Sequence, residues 1–228
     1  TGGVLEEEGA VDLHGRRRDY TMFTPAAAGA VDGSMLPGLV FFHGFTRSRA
    51  RHRSLARRLS SVLGMVVLTP DLGPLLGPAL ALRAERGREI CVREAVAFTE
   101  WLGRRSNVDS NRLSLGGFSA GGAVAFEAAV RLQAKAVRPV ALLLVDAVPW
   151  PRTAAAAEGL AEPAGGLLLL ETDASAYNQY CAFRREALPR IPAWRRPGRS
   201  VVVVSVPGTR HVDPEAAGDA HGDGTRWG

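Results

Sequence analysis

The feature that most constrains this chain is a glycine-framed serine between a predicted strand and a predicted helix. An apolar run at residues 112–116 leads into the pattern Gly-Phe-Ser-Ala-Gly at 117–121, and an alanine-rich helical segment follows. A serine on a sharp strand-to-helix turn lies under backbone strain, and the residues two before and two after it must be small to avoid collision. The pattern therefore predicts Ser119 as a nucleophile, with Gly117 and Gly121 supplying the space.

Apolar runs alternate with helical patterns along the rest of the chain, as expected for βαβ units. The later runs are almost entirely Leu and Val, which is typical of parallel strands buried on both faces. We therefore expect an α/β fold with a mostly parallel central sheet and helices on both faces. The predicted strands span residues 20–24, 39–42, 65–69, 112–116, 140–145, 167–171 and 200–206, and the predicted helices span 51–63, 85–104 and 121–134.

Length and composition favour one domain. The chain has 228 residues, of which 46% are hydrophobic, and this is enough for one buried core. We expect the domain to cover residues 1–228, with irregular structure at 1–18 and 214–228. No stretch reaches the roughly 18 apolar residues of a membrane span. The chain begins at Thr1 rather than Met, so the sequence leaves its localisation open.

The formal net charge of +5 comes almost entirely from arginine, since Lys135 is the single lysine. The densest group lies before and on the predicted helix at 51–63, and consists of Arg47, Arg49, Arg51, Arg53, Arg57 and Arg58. We interpret these arginines as a solvated helix face, with contact to an anionic surface as the alternative. Nucleic-acid binding is not indicated, because no aromatic residues are interleaved with them. Cys91 and Cys181 fit no metal-ligand spacing, and either two buried thiols or one disulfide is compatible with the sequence.

A nucleophilic serine needs a base, and the base needs an acid that orients it. On a sheet of this kind they follow the serine in the order acid, then histidine, each after a later strand. His211 follows the strongest predicted strand of the chain and has that order, so it is the candidate base. Two aspartates end suitable strands: Asp146 after residues 141–145, and Asp173 after 167–172. Either aspartate could reach a histidine on the neighbouring loop, so at this point both are candidates for the acid.

The remaining site residues are predicted from their positions beside the serine. The N–H of Ala120 begins the helix after Ser119, where the positive end of the helix favours an oxyanion. His43 and Gly44 follow an early strand, so the N–H of Phe45 is the candidate for the second oxyanion donor, and His43 is expected to brace this loop by hydrogen bonding. The candidate apolar walls for a substrate are Phe45, Phe118 and Trp150. This chemistry requires no metal and no cofactor.

These residues resemble the α/β-hydrolase family over about Tyr20 to Glu215, and within it the chlorophyllase-like and polyester-hydrolase-like (cutinase-type) esterases. His43-Gly44-Phe45, residues 68–72 (Leu-Thr-Pro-Asp-Leu) and residues 117–122 occur in the family's order. The resemblance to chlorophyllase-like members implies Asp146 as the acid, because Val145–Pro149 is similar to their acid segment. Resemblance to the polyester hydrolases implies Asp173, one strand later. Weighing the two resemblances, we predict Asp146 as the acid and keep Asp173 as the alternative.

The resemblance implies a serine carboxylic-ester hydrolase that acts on small-molecule, lipid or polymer esters. Only about 20 residues separate the strands that end near 145 and begin near 167, which is too few for a large helical lid. An open pocket suits short-chain or bulky, surface-presented esters. Two alternatives remain at this point: a hydrolase-like binding module without catalysis, and a thioesterase, acyltransferase or peptidase that uses the same three side chains.

Overall fold

The computed structural model describes residues 3–26, 35–73, 85–137, 139–160, 166–191 and 201–211. Its strands are β1 (Val4–Leu13), β2 (Arg16–Pro25), β3 (Leu36–Phe42), β4 (Val66–Pro70), β5 (Val108–Phe118), β6 (Ala141–Val145), β7 (Leu167–Glu171) and β8 (Val201–Ser205). Its α-helices are α1 (Arg53–Leu63), α2 (Glu85–Gly103), α3 (Ala120–Ala134) and α4 (Thr153–Glu158). Short helical turns lie at Arg49–His52, Phe183–Ala187 and Leu188–Arg190.

The eight strands form one sheet in the order β1-β2-β4-β3-β5-β6-β7-β8. β1 pairs with β2 and β2 pairs with β4 in antiparallel fashion, and every other pair is parallel. Phe118, Val145 and Leu170 lie side by side at the carboxyl ends of β5, β6 and β7. The residues that follow these strands therefore emerge at the same edge of the sheet, where open α/β sheets bind ligands.

Successive side chains of a strand point to opposite faces of the sheet, and here they enter two apolar clusters, one on each face. Helices cover both clusters. In β3, Val40 and Phe42 belong to the larger cluster, whereas Leu39 and Phe41 belong to the smaller one. The larger cluster is completed by residues of α2 and α3, and the smaller one by residues of α1. This arrangement confirms the predicted α/β fold with a mostly parallel sheet and helices on both faces.

The expectation of irregular structure at residues 1–18 is wrong, because β1 and the first part of β2 form an antiparallel hairpin there. β1 is an edge strand in which every side chain except Leu13 is exposed or half-buried, so it lacks the alternating apolar pattern of a strand with one buried face. Between β6 and β7 the structure describes one six-residue helix, α4, which the sequence did not predict. Residues 214–228 lie outside the described residues, and that the chain forms one domain stays a prediction.

Acidic residues of the fold pair with several members of the arginine group. Arg53 and Arg57 both form ion pairs with Glu6 of β1, and Arg49 forms one with Asp71 after β4. The two pairs with Glu6 join α1 to the hairpin, and all three support the interpretation of a solvated helix face. Contact with an anionic surface stays a prediction. Among the described residues, no helix has the length and apolar character to cross a membrane.

Both cysteines are buried, and neither forms a disulfide. Of the two arrangements that the sequence allowed, the structure therefore has separate thiols. Cys91 lies in the core side of α2, and Cys181 lies in the loop after β7. Burial raises the pKa of the Cys181 thiol, and a thiol of raised pKa is a poor nucleophile at neutral pH.

Candidate active site

Ser119 occupies the turn between β5 and α3. Its backbone has φ 54° and ψ −122°, a conformation that non-glycine residues adopt at a cost. Three backbone hydrogen bonds hold it there: the Ser119 N–H donates to the Val145 carbonyl oxygen at 3.0 Å, and the Ser119 carbonyl oxygen accepts from Gly122 at 3.0 Å and Val148 at 3.1 Å. The strained turn leaves the side chain partly exposed at the carboxyl edge of the sheet.

The glycines on either side provide the space that the sequence predicted. A Cβ at Gly121 would collide with the carbonyl oxygens of Phe42 and His43, and a Cβ at Gly117 would collide with the backbone of Gly121. The beginning of α3 therefore packs directly against the end of β3. This close approach also places the loop after β3 beside the serine, since a Cβ at Gly44 would lie 3.3 Å from the Cβ of Ser119.

The structure brings Ser119, His211 and Asp146 into one hydrogen-bonded row. The Nε2 atom of His211 lies 3.0 Å from Oγ of Ser119, and Nδ1 lies 2.5 Å from Oδ2 of Asp146. With the proton on Nδ1, the imidazole donates to the carboxylate and Nε2 accepts from the serine hydroxyl. Asp146 is 2% exposed and His211 is 9% exposed, so the row is shielded from water up to the serine.

Asp146 is held by more than the histidine. Thr172 donates to the carboxylate twice, through its hydroxyl at 2.6 Å and its N–H at 3.2 Å, and the Asn178 side-chain amide donates at 3.1 Å. Burial alone would raise the pKa of Asp146, but hydrogen bonds from His211, Thr172 and Asn178 outweigh it and hold that pKa below its usual range. The carboxylate therefore stays ionised and can stabilise a protonated imidazole.

Asp173, the alternative acid, lies elsewhere. It is exposed, and its carboxylate accepts a hydrogen bond from the Gly208 N–H at 2.9 Å, while its own N–H donates to the Thr209 carbonyl oxygen at 3.2 Å. These bonds hold the loop that carries His211. The structure thus gives Asp173 a contact with the histidine loop but not with the imidazole.

The loop after β3 is braced by His43, which is fully buried. Its Nδ1 lies 2.8 Å from the Gly44 carbonyl oxygen, and its Nε2 lies 3.0 Å from the Leu72 nitrogen. The Leu72 N–H requires an acceptor, so the imidazole is neutral with its proton on Nδ1. This agrees with the pKa of His43, which burial holds below its usual range. His43 thus joins the loop of Gly44 and Phe45 to the end of β4, in the role that the sequence predicted.

The three candidate wall residues have different environments. Phe45 and Trp150 are half-buried and pack against the larger apolar cluster. Phe118 is 2% exposed, belongs to the smaller cluster and contacts the His211 ring with centroids 4.9 Å apart. Phe118 therefore lies in the core beneath the histidine, and its assignment as an open pocket wall is corrected.

A third buried imidazole, that of His52, contacts the ring of Phe118. The ring of His52 contacts those of Phe41 and Phe118 with centroids 5.2 and 5.5 Å apart, and neither ring nitrogen has a hydrogen-bond partner in the described part of the chain. Burial, and to a lesser extent the nearby His43 and Arg47, lower the pKa of His52 to about 3. A neutral, unpartnered imidazole is costly in this position.

His52 is expected to make the fold less stable in mild acid. In the unfolded chain its imidazole takes up a proton near its ordinary pKa of 6.5, but in the folded chain it does so only near 3. Between these values the unfolded state binds more protons, so the free energy of unfolding decreases as the pH falls, by at most about 1.4 kcal/mol per pH unit. Urea unfolding of His52→Leu should therefore show a smaller loss of stability than wild type between about pH 7.5 and 5.

The matched control is His14→Asn in the exposed β1–β2 turn, where φ is 54° and asparagine is tolerated. This variant should keep the acid sensitivity of the wild type. Equal acid sensitivity in wild type and His52→Leu would contradict the assignment of a neutral buried imidazole.

The fold matches solved structures of hydrolases over most of its length. An esterase from the archaeon Pyrobaculum calidifontis superposes with a TM-score of 0.64 at 16% identity, covering 90% of this chain and 76% of that one. A dienelactone hydrolase from Anabaena variabilis has a TM-score of 0.65 at 20% identity, covering 92% and 88%. An esterase from Rhizomucor miehei has a TM-score of 0.63 at 18% identity, covering 90% and 75%. The chain therefore has the α/β-hydrolase fold.

The sequence itself matches the family model described as Chlorophyllase over residues 14–157. This match spans more than half of the chain and includes the loop after β3, Ser119 and Asp146. The chain therefore belongs to the chlorophyllase family. Among curated proteins, none matches the sequence significantly.

Two of the residues that support the site were not identified from the sequence. Thr172 and Asn178 hold Asp146, but a threonine and an asparagine after a strand are common in turns and carry little signal by themselves. In the described residues, no group of three or more His, Cys, Asp or Glu side chains could hold a metal ion.

Proposed function

We propose that this protein is a serine carboxylic-ester hydrolase. The observation that carries the proposal is the row of Ser119, His211 and Asp146, with 3.0 Å between the serine oxygen and the imidazole and 2.5 Å between the imidazole and the carboxylate. A serine within hydrogen-bond reach of a base that is itself oriented by an acid is the arrangement that activates a hydroxyl for acyl transfer. Membership of the chlorophyllase family and the likeness to esterase structures support an ester as the substrate.

In the proposed reaction, Oγ of Ser119 attacks the ester carbonyl carbon while Nε2 of His211 takes the hydroxyl proton. The carbonyl oxygen becomes an oxyanion, which the N–H groups of Phe45 and Ala120 stabilise. The intermediate collapses when the bond to the alcohol oxygen breaks, and His211 gives that oxygen its proton. Water then attacks the acyl-serine by the same route, with His211 as base, and releases the acid and the free serine.

Asp146 stabilises the imidazolium that forms in each half of the reaction and fixes the tautomer of His211. No proton needs to move to the carboxylate. The finer part of the proposal is that the pocket is open and takes short-chain or bulky, surface-presented esters. It rests on the short connection between β6 and β7, where the described residues hold one six-residue helix.

The proposal is tested by labelling with a fluorophosphonate, whose phosphorus is attacked by an activated serine with loss of fluoride. The purified chain should take up one label on the peptide that contains Ser119, and Ser119→Ala should take up none. Ser110→Ala serves as the control, because Ser110 is exposed in the first part of β5, away from its carboxyl end. It should label like the wild type.

Absence of labelling in the wild type would favour the non-catalytic binding module over the enzyme. Labelling that persists in Ser119→Ala would place the reactive group elsewhere. If labelling occurs as expected, hydrolysis of p-nitrophenyl butyrate, compared with its thioester and anilide counterparts, separates an esterase from a thioesterase or peptidase.

A further inference from the structure

The loop between β7 and the helical turn at Phe183–Ala187 carries an exposed aromatic ring beside the proposed base. Tyr177 is 77% exposed, yet its ring lies nearly parallel to the His211 imidazole, with 10° between the planes and 6.2 Å between the centroids. Within the described ranges, the other aromatic neighbour of His211 is the buried Phe118. Tyr177 therefore presents an aromatic surface to solvent beside the imidazole. The proposed reaction gives this ring no role.

The backbone beneath this ring is fixed to the proposed acid. Asn178 is 1% exposed, and its side-chain amide donates to Oδ1 of Asp146 at 3.1 Å and to the Asp173 carbonyl oxygen at 3.0 Å. Its side-chain oxygen accepts from the N–H groups of Ser175 at 2.9 Å and Cys181 at 3.2 Å. An exposed ring is thus attached to one of the most firmly held residues of the site.

The same loop contains three successive non-glycine residues with positive φ. The values are 50° at Gln179, 57° at Tyr180 and 57° at Cys181. Such a backbone is costly and persists only where its surroundings hold it in place, as the hydrogen bonds of Asn178 do here. Because the backbone that carries the ring is fixed in this way, a ligand that contacts Tyr177 has little loop entropy to overcome.

The chemistry of the proposed reaction indicates which part of a substrate meets this ring. His211 must return a proton to the alcohol oxygen as it leaves, so the alcohol portion lies against the imidazole. The acyl portion is bonded to Ser119 and held by the oxyanion donors. A side chain that neighbours His211, on the side away from the core, therefore borders the alcohol portion.

We infer that Tyr177 is a stacking platform for the alcohol portion of the ester, and that this portion carries a flat, unsaturated or aromatic group. The inference rests on the proposed function. A ring face attracts another flat π-system in an offset or edge-on arrangement, which is worth about 0.5–1.5 kcal/mol beyond the area buried. A saturated ring of similar size gains the burial but not this additional attraction.

The test compares benzyl butyrate with cyclohexylmethyl butyrate, which share an acyl group and differ in the flatness of the alcohol. The wild type should favour the benzyl ester. Tyr177→Ala should lower the benzyl-to-cyclohexylmethyl ratio of kcat/KM by about 2- to 10-fold. Tyr177→Phe keeps the ring face and should keep the ratio. Because the side chain is exposed, neither substitution removes a buried contact.

Tyr180→Ala is the matched control, since Tyr180 lies in the same loop and is 60% exposed. It should leave the ratio within about twofold of the wild type. A second series, ethyl acetate against ethyl butyrate, reports on the acyl side, and its ratio should be unchanged in Tyr177→Ala.

Each other result overturns the inference in a recognisable way. If both esters are hydrolysed and their ratio is the same in wild type and Tyr177→Ala, the platform is wrong and the proposed function stands. If Tyr177→Ala changes the acetate-to-butyrate ratio instead, the ring borders the acyl portion. If the wild type hydrolyses none of these esters and takes up no fluorophosphonate label, the proposed function fails and the platform fails with it.

Discussion

Asp146→Ala is expected to lower kcat for p-nitrophenyl butyrate on the order of 10⁴-fold, the usual effect of losing the acid of such a row. The carboxylate lies 2.5 Å from Nδ1 of His211 and is the group that fixes the tautomer and stabilises the imidazolium. Removing it also leaves the buried donors of Thr172 and Asn178 without their acceptor. Asp146→Asn keeps the volume of the side chain, so it separates the electrostatic effect from the packing effect and should lose nearly as much activity.

Asp173→Ala is the matched control, because it removes the other strand-end carboxylate. Asp173 is exposed and accepts one hydrogen bond from Gly208. A single hydrogen bond of this kind is worth about 1 kcal/mol, so kcat should fall by less than about tenfold. A larger loss in Asp173→Ala than in Asp146→Ala would reverse the assignment of the acid, and equal small losses would contradict the row as a catalytic unit.

Gly121→Ala is expected to inactivate the protein and to destabilise it by about 3 kcal/mol or more. The added methyl group would meet the carbonyl oxygens of Phe42 and His43, which are backbone atoms of a buried strand end and cannot rotate away. Either the first turn of α3 or the loop after β3 must shift, and both are proposed to supply oxyanion donors. A displacement of about 1 Å at such a site can cost on the order of 10² in rate.

Gly159→Ala makes the same chemical change where the structure accepts it. Gly159 is the C-cap that follows α4, with φ −88° and ψ −6°, and an added Cβ would lie 3.5 Å from the Ala156 carbonyl oxygen. Thermal and urea unfolding should show this variant unchanged or more stable by up to about 1 kcal/mol. If Gly121→Ala has the same stability and the same kcat as Gly159→Ala, the conclusion that the serine turn has no room for a Cβ is wrong.

The sequence predicted the fold well where one physical signal dominates. Strands buried on both faces are almost wholly apolar, so β6 and β7 stood out, and the glycines around Ser119 predicted a turn that only small residues permit. β1 was missed because an edge strand has few side chains to bury, and its run of glutamates is typical of a solvated segment.

The choice between Asp146 and Asp173 is hard to make from the sequence for a geometric reason. Val145 and Leu170 are neighbours in the sheet, so the residues that follow them emerge at the same edge only one strand apart. Which aspartate contacts His211 depends on the path of the loop after β8. An irregular loop has no hydrophobic periodicity from which its path could be predicted. Phe118 was misplaced because its neighbour Ser119 points to the open edge, whereas strand alternation directs Phe118 into the smaller apolar cluster.

Tyr177 and Asn178 are neighbours with different roles, and this difference has a consequence for engineering substrate preference. Position 177 is exposed and position 178 is buried, so a library that varies residue 177 while keeping Asn178 would sample substrate preference at little cost in foldedness. A library that varies both would mix changes of preference with loss of the acid's support, since the Asn178 amide binds Asp146 directly. Two consecutive residues of this loop therefore differ in how freely they can be replaced: Tyr177 can be varied, whereas Asn178 has to be kept.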